Sequence, residues 1–420
     1  MIKHARALWD AMFGNLQSTI CNLQSAIYNL QSTIYNRNMP GVYTQLDLSP
    51  NAFEQARQQR IATGDLLDLT SSNPTAQGLF FPPELLQQAS EAFWATRRYQ
   101  PDPHGNPAAR TAICRYYAER TPGLELDVDD IFLTASTSEA YALLFALLAD
   151  PGDNLLAPNV TYPLFEYLAE LRQLELRPYP LNEAEGWRID EAGLLAAANR
   201  RTRAVLIVSP HNPTGAVVSQ PVAALAQLGL PVICDEVFAP FSYGVAHVPP
   251  LAALHPDLPV LTLNGISKLF ALPDLKLGWI ALNQAARSLA PRLELLNDTF
   301  LSANSLSQQL LPQLFSSGMP FVQGMVERVR HNLTLALTQL HNHPHIHARP
   351  PDGGYYLFPA IRGWEDEDAL VHFLMQRGLL VHPGYFYGEV PGTHLMLSAL
   401  TTPNVFAAGI ERLRDCLKNP

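Results

Sequence analysis

Three short apolar runs near the middle of the chain, residues 204–209 (AVLIVS), 231–234 (PVIC) and 260–263 (VLTL), constrain its fold more than any other feature. Each is rich in β-branched or aliphatic residues, and none has the spacing of an amphipathic helix. Such runs read as strands buried on both faces, the way parallel sheets appear in a sequence. Between the first two, residues 220–229 contain AALAQL and suit a crossover helix. Parallel strands linked in this manner form right-handed units, and ligands collect beyond the carboxyl ends of the strands. The expected architecture is α/β, a mostly parallel sheet sandwiched by helices.

Each run is followed by a polar group: Asn212 in SPHNPTG, Asp235 in CDE and Lys268 in NGISK. A lysine amine forms a Schiff base with an aldehyde and can exchange it for one with an incoming amino acid. A carboxylate beside a ring nitrogen favours the protonated ring, which then accepts electrons from a carbanion. An amide can donate to a ring hydroxyl oxygen. These are the three demands of pyridoxal 5'-phosphate (PLP) chemistry. An Asn-Pro or Ser-Lys pair alone would read as a turn or a surface group; the ordered trio on successive strand ends carries the inference.

At this point the chain resembles the class I and II aminotransferases of PLP fold type I, the aspartate aminotransferase superfamily, over about residues 46–417. The SPHNPTG segment and the spacings from Asn212 to Asp235 and on to Lys268 suit that family. The resemblance implies that Lys268 carries the cofactor imine, with Ser267 beside it, and that Asp235 and Asn212 hold the ring. Ser136, Thr137 and Ser138, opening a helix-like stretch after residues 131–133, are the implied phosphate cradle, because hydroxyls and amides at a helix N-terminus bind anions. Tyr162 matches the aromatic position that stacks on the ring. Tyr99 matches a tyrosine that reaches the neighbouring subunit's phosphate, which implies a homodimer with shared active sites. Asn73 and Thr75 match a loop that closes over substrate. Without the resemblance, Ser136 would be an ordinary helix N-cap, Tyr162 core packing, and Asn73-Pro74 a turn.

Three departures define a subgroup. Phe238 stands three residues after Asp235, where most relatives carry a tyrosine that also touches the ring oxygen. Lys276 occupies the place of the phosphate arginine, keeping the charge and losing the two-pronged geometry. Met396 stands where an arginine would grip the substrate α-carboxylate. His394 shares a strand face with Met396 and is a candidate substrate ligand, although two residues of rise, about 7 Å, separate them. Its other reading is a structural or rim histidine.

The implied reaction is ping-pong transamination between an amino acid and a 2-oxo acid. Another PLP reaction, β-elimination by a C–S lyase or a decarboxylation, is the alternative, since the fold does not fix which bond breaks. A PLP-sensing regulator would need a DNA-binding module, and no basic helix-turn-helix precedes the domain. A net charge of −10 argues against nucleic acid or anionic membrane as partners. No apolar run approaches the ~20 residues that span a bilayer. Cys21, Cys114, Cys234 and Cys416 are scattered without a CxxC pair, which suits a reduced, cytoplasmic enzyme. The run from His341 to His347 (HNHPHIH) reads as a solvated loop after a helix over residues 321–340, not as a metal site.

The expected division is a large PLP-binding domain over residues 81–296 and a smaller α+β domain formed by 39–80 with 297–420. Residues 15–21, 22–28 and 29–35 are near-identical heptads, NLQSTIC, NLQSAIY and NLQSTIY. Their Leu and Ile positions make a coiled-coil stripe, but such near-identity resembles a translated DNA repeat. The functional protein is therefore expected to begin near Met39, with residues 1–38 disordered or dispensable.

Overall fold

A computed structural model describes residues 49–64 and 66–418. The heptads, the expected start at Met39 and Cys21 lie outside the described residues. The central feature is a sheet of seven strands: β1 Ile131–Thr134, β2 Asn154–Pro158, β3 Glu175–Tyr179, β4 Thr202–Val208, β5 Val232–Asp235, β6 Val260–Gly265 and β7 Gly278–Leu282. Their spatial order is β1-β7-β6-β5-β4-β2-β3. All neighbours run parallel except β7, which is antiparallel to both β1 and β6.

The sequence runs are apolar without alternation because both faces of these strands are covered. Every residue of β5, β6 and β7 is buried, and β4 is buried except at Arg203, which is half-buried. Ala204, Leu206, Ile233, Leu261 and Leu263 face one core, shared with Tyr141, Leu144 and Phe145 of the helix Thr137–Leu148. Val205, Ile207, Val232, Cys234 and Val260 face the other. The crossover helix between β4 and β5 is Ala223–Leu228, shorter than residues 220–229. Pro221 precedes it, and Gly229 ends it in a left-handed cap at φ 60°.

A second sheet contains β8 Ile346–His347, β9 Tyr356–Leu357, β10 Ala360–Ile361, β11 His382–Pro383 and β12 Thr393–Ser398. β12 pairs antiparallel with β9, β10 and β11. Leu67–Asp68 pairs in parallel with Leu379–Leu380, and the Ser398 amide donates to the Leu69 carbonyl at 2.7 Å. The segment preceding the loop at Asn73 is thus fastened to the C-terminal part of the chain. The helix before the histidine run is Met319–Gln339, and the run ends in the edge strand β8. Among the described residues no group of His, Cys, Asp and Glu is arranged to hold a metal ion, and no helix is long and apolar enough to cross a membrane.

Candidate active site

The strand order places the three polar groups side by side. Asn212 lies in the loop after β4, Asp235 is the last residue of β5, and Lys268 sits in the one-turn helix Ile266–Leu269 that follows β6. Asp235 is 7% exposed. The Tyr141 hydroxyl donates to its Oδ2 at 3.0 Å and the Val237 amide to its Oδ1 at 3.0 Å. Burial pushes the Asp235 carboxyl up to about 6, against the opposing pull of these two donors and of the Lys268 charge. Lys268 is half-buried and its charge is felt at both Asp235 and Tyr356.

The loop that carries Asn212 is pinned from several sides. His211 and Gly215 close it through His211 O, and His211 Nδ1 meets Thr214 Oγ1 at 2.8 Å. Gly215 takes φ 74°, and a side chain there would strike Pro351 and the Gly353 carbonyl. The Gly353 amide in turn donates to Gly215 O at 2.9 Å. Asn212 is held buried, and its amide oxygen has no hydrogen-bond partner among the described residues. A buried amide left so is costly unless a ligand satisfies it.

Ser136 is the N-cap of Thr137–Leu148, accepting from the Glu139 amide at 3.1 Å. Gly278, the first residue of β7, lies so close to this turn that a Cβ would come within 2.9 Å of the Ser136 carbonyl carbon and 3.0 Å of the Thr137 amide nitrogen. Gly278 also pairs with Gly265, three residues before Lys268. The start of the helix, the Lys268 turn and the approach to β7 therefore converge. Lys276, on that approach, is exposed, takes a left-handed φ of 48°, and makes no ion pair among the described residues. Ser267 is half-buried beside Lys268.

Residues 64–413 match the family model Aminotransferase class I and II. An alanine aminotransferase of Mycobacterium tuberculosis is 30% identical over 369 residues, 84% of this chain and 85% of the relative. A glutamate-pyruvate aminotransferase of Escherichia coli K12 is 27% identical, covering 80% of this chain and 87% of its own. The structure of an alanine aminotransferase from Pyrococcus furiosus shares the fold with TM-score 0.80 at 24% identity, over 87% of this chain and 95% of that one. The chain is a class I and II aminotransferase.

Its architecture is fold type I and its reaction is PLP-dependent transamination. The aminotransferase carries an aromatic cluster over the Lys268 side of the site. Phe238 is buried, edge-on to Tyr355 at 4.8 Å and to Tyr356 at 5.8 Å. Burial pushes both phenols up, and the Lys268 charge and a bond to Ser72 oppose the shift at Tyr356. Tyr162 is 37% exposed, lies edge-on to Phe165, and adds to the shifts of Tyr355 and Tyr356. Asn73 accepts from the amide and hydroxyl of Thr75 at 3.1 and 2.9 Å, forming the turn that was one of its two readings. Tyr99 is 76% exposed.

His394 is buried away from solvent. Its ring stacks on Phe358 at 5.0 Å, meets Trp187 edge-on, and places Nε2 at 3.2 Å from Glu183. These contacts are those of the structural histidine, the alternative to a substrate ligand. Met396 faces His382 across β11 and β12. Burial lowers His382 to about 4, which holds its imidazole neutral at ordinary pH. Tyr141 carries no mark of its own in the sequence. The alternation of β5 puts Asp235 on the face of Ile233, which the Thr137–Leu148 helix covers, but only the tertiary structure sets Tyr141 apart from the other aromatics there.

Proposed function

We propose that this aminotransferase works through Lys268, moving an amino group from an amino acid to a 2-oxo acid in two half-reactions. The observation that carries the reading is Lys268 and the buried Asp235 at the ends of adjacent parallel strands, each within the other's electrostatic reach. The residues present fit PLP: a buried Asn212 whose side chain makes no hydrogen bond among the described residues, so that its NH2 can turn to a ring oxygen, a buried acid at Asp235, and the N-terminus of the helix that starts at Thr137. Bound PLP would supply an aldehyde that condenses with amines and a ring that takes up the electron pair left on the substrate α-carbon.

The chain's own groups have separable tasks. The Lys268 amine, once displaced by the incoming amino acid, lifts the α-proton and returns it at the other end of the reacting system. Asp235 keeps the ring nitrogen protonated. Asn212 donates to the ring oxygen, where Phe238 offers nothing. Ser136, Thr137, Ser138 and Ser267 line the phosphate side, and Lys276 adds a charge there in the place of an arginine. Tyr162 covers the ring, and Asn73 and Thr75 lie on the loop toward substrate. Tyr99, being exposed, is available to a second subunit, which supports a homodimer with shared sites. In this reading residues 81–296 are the cofactor domain, and 39–80 with 297–420 the smaller one.

Met396 and His382, whose imidazole burial keeps neutral, offer a substrate carboxylate no charged fork, and this favours keeping elimination or decarboxylation as the second reading. The relatives named above act, by their names, on alanine or on glutamate and pyruvate, which makes these the first compounds to try. Single-turnover conversion of bound cofactor to its amine form, with release of a 2-oxo acid, tests transamination. Release of carbon dioxide or of a side-chain leaving group instead would overturn it. Lys268→Ala should abolish both the lysine-bound absorbance and turnover, and retained turnover would remove Lys268 from its role.

A further inference from the structure

Tyr141 is 2% exposed and sits on the first half of the helix Thr137–Leu148, whose start is the candidate phosphate cradle. Its ring is wedged against Phe165 at 4.7 Å and Phe145 at 5.9 Å. Its hydroxyl makes one hydrogen bond, to Asp235 Oδ2. With the Val237 amide on Oδ1, each carboxylate oxygen holds one donor and keeps a lone pair for another. We infer that Tyr141 is a positioning residue for transamination: its hydroxyl fixes the rotamer of Asp235 and holds that carboxylate ionised toward the cofactor ring nitrogen. The inference rests on the proposed role of Asp235.

Two physical arguments support it. A donor to a carboxylate favours the ionised form, and burial of this carboxylate works in the opposite sense. With only the Val237 amide left as donor, the group meant to keep the ring protonated would itself take up the proton more readily. Burial also raises the Tyr141 phenol well above its ordinary range, so it remains a neutral donor throughout the working pH range. The bond is then an O–H···O⁻ contact, among the stronger hydrogen bonds available to a side chain. The arrangement is tertiary as well as local. Asp235 ends a central strand, while Tyr141 belongs to the helix that carries the phosphate side, so one bond ties the two ends of the cofactor site together.

The test is Tyr141→Phe in the holoenzyme, which keeps the ring packing and removes only the hydroxyl. The expected variant melts close to the wild type and still shows the lysine-bound cofactor band. That band should titrate with an upward-shifted midpoint, and cofactor should be retained about tenfold less tightly, as for loss of a hydrogen bond to a charged group. An unchanged midpoint and unchanged retention would overturn the inference, as would a lowered melting temperature with both unchanged, which marks a packing role. Wild-type protein that forms no lysine-bound band with PLP would instead overturn the reading of the site itself.

Discussion

Arg120 and Glu236 form a buried ion pair one residue beyond Asp235. The guanidinium also donates to the Val248 carbonyl at 2.9 Å and lies over the rings of Tyr116 and Tyr117. Glu236 accepts from the Leu251 amide at 3.0 Å. Replacing Arg120 by Ala would leave a carboxylate buried with one fewer donor and no counter-charge. We expect a loss of about 3–5 kcal/mol, measured by denaturant unfolding. Glu236→Gln should cost less, because the amide can still bond its neighbours. Equal and small losses for both would show the pair to be dispensable.

The buried Asp235 makes cofactor retention depend on pH. Its carboxyl is pushed up to about 6 in the folded protein, from 3.8 as a free group. The folded state therefore binds more protons than the unfolded one between about pH 4 and pH 6. In the absence of cofactor, Asp235's contribution to stability is greatest below that window and is lost as pH rises through it. Cofactor binding has the opposite sense, since it needs the carboxylate ionised. Retention of PLP should thus weaken as pH falls through 6 while the apoprotein gains Asp235's share of stability. Equilibrium dialysis and thermal melts across pH 4.5–8 check the two signs separately; an Asp235→Asn variant should lose the apoprotein trend.

What the sequence made legible follows from how each feature is built. β4, β5 and β6 were readable because strands buried on both faces leave unbroken apolar runs, and their polar terminators had chemical reasons of their own. Ser136 serves as the N-cap, one of its two readings, because capping needs only the adjacent Glu139 amide. Tyr141 was not readable: its acceptor lies 94 residues away, and nothing local distinguishes it from the core aromatics beside it. His394 shows the same limit, since strand alternation gave its face but not Glu183, 211 residues distant, or the Phe358 ring that covers it.

Lys276 tests how much of the phosphate grip is charge and how much is geometry. It is exposed and stands at φ 48°, on the short approach to Gly278. Lys276→Ala should weaken PLP retention at least tenfold, the scale of a lost hydrogen bond to a charged group. Lys276→Arg should preserve or tighten it, because the fork can offer two parallel bonds. Cofactor release measured by dialysis after gel filtration distinguishes the cases. Equal retention in all three proteins would place the phosphate elsewhere.

Phe238 offers the complementary experiment on the other side of the ring. It is 3% exposed and boxed by Tyr355 and Tyr356, so a hydroxyl at its para position must find a partner or carry a desolvation cost. Phe238→Tyr should be tolerated with cofactor bound and destabilising without it, because only the ring oxygen would satisfy the new group. A donor to that oxygen favours its ionised form and competes with the proton on the lysine-bound nitrogen. The midpoint of the lysine-bound absorbance should therefore move down, opposite to the shift expected for Tyr141→Phe. A downward shift together with a larger melting-temperature gain on adding PLP would place the hydroxyl against the cofactor. An unchanged midpoint would mean that the phenol points into the Tyr355–Tyr356 cluster instead, and that Phe238 does not face the ring oxygen.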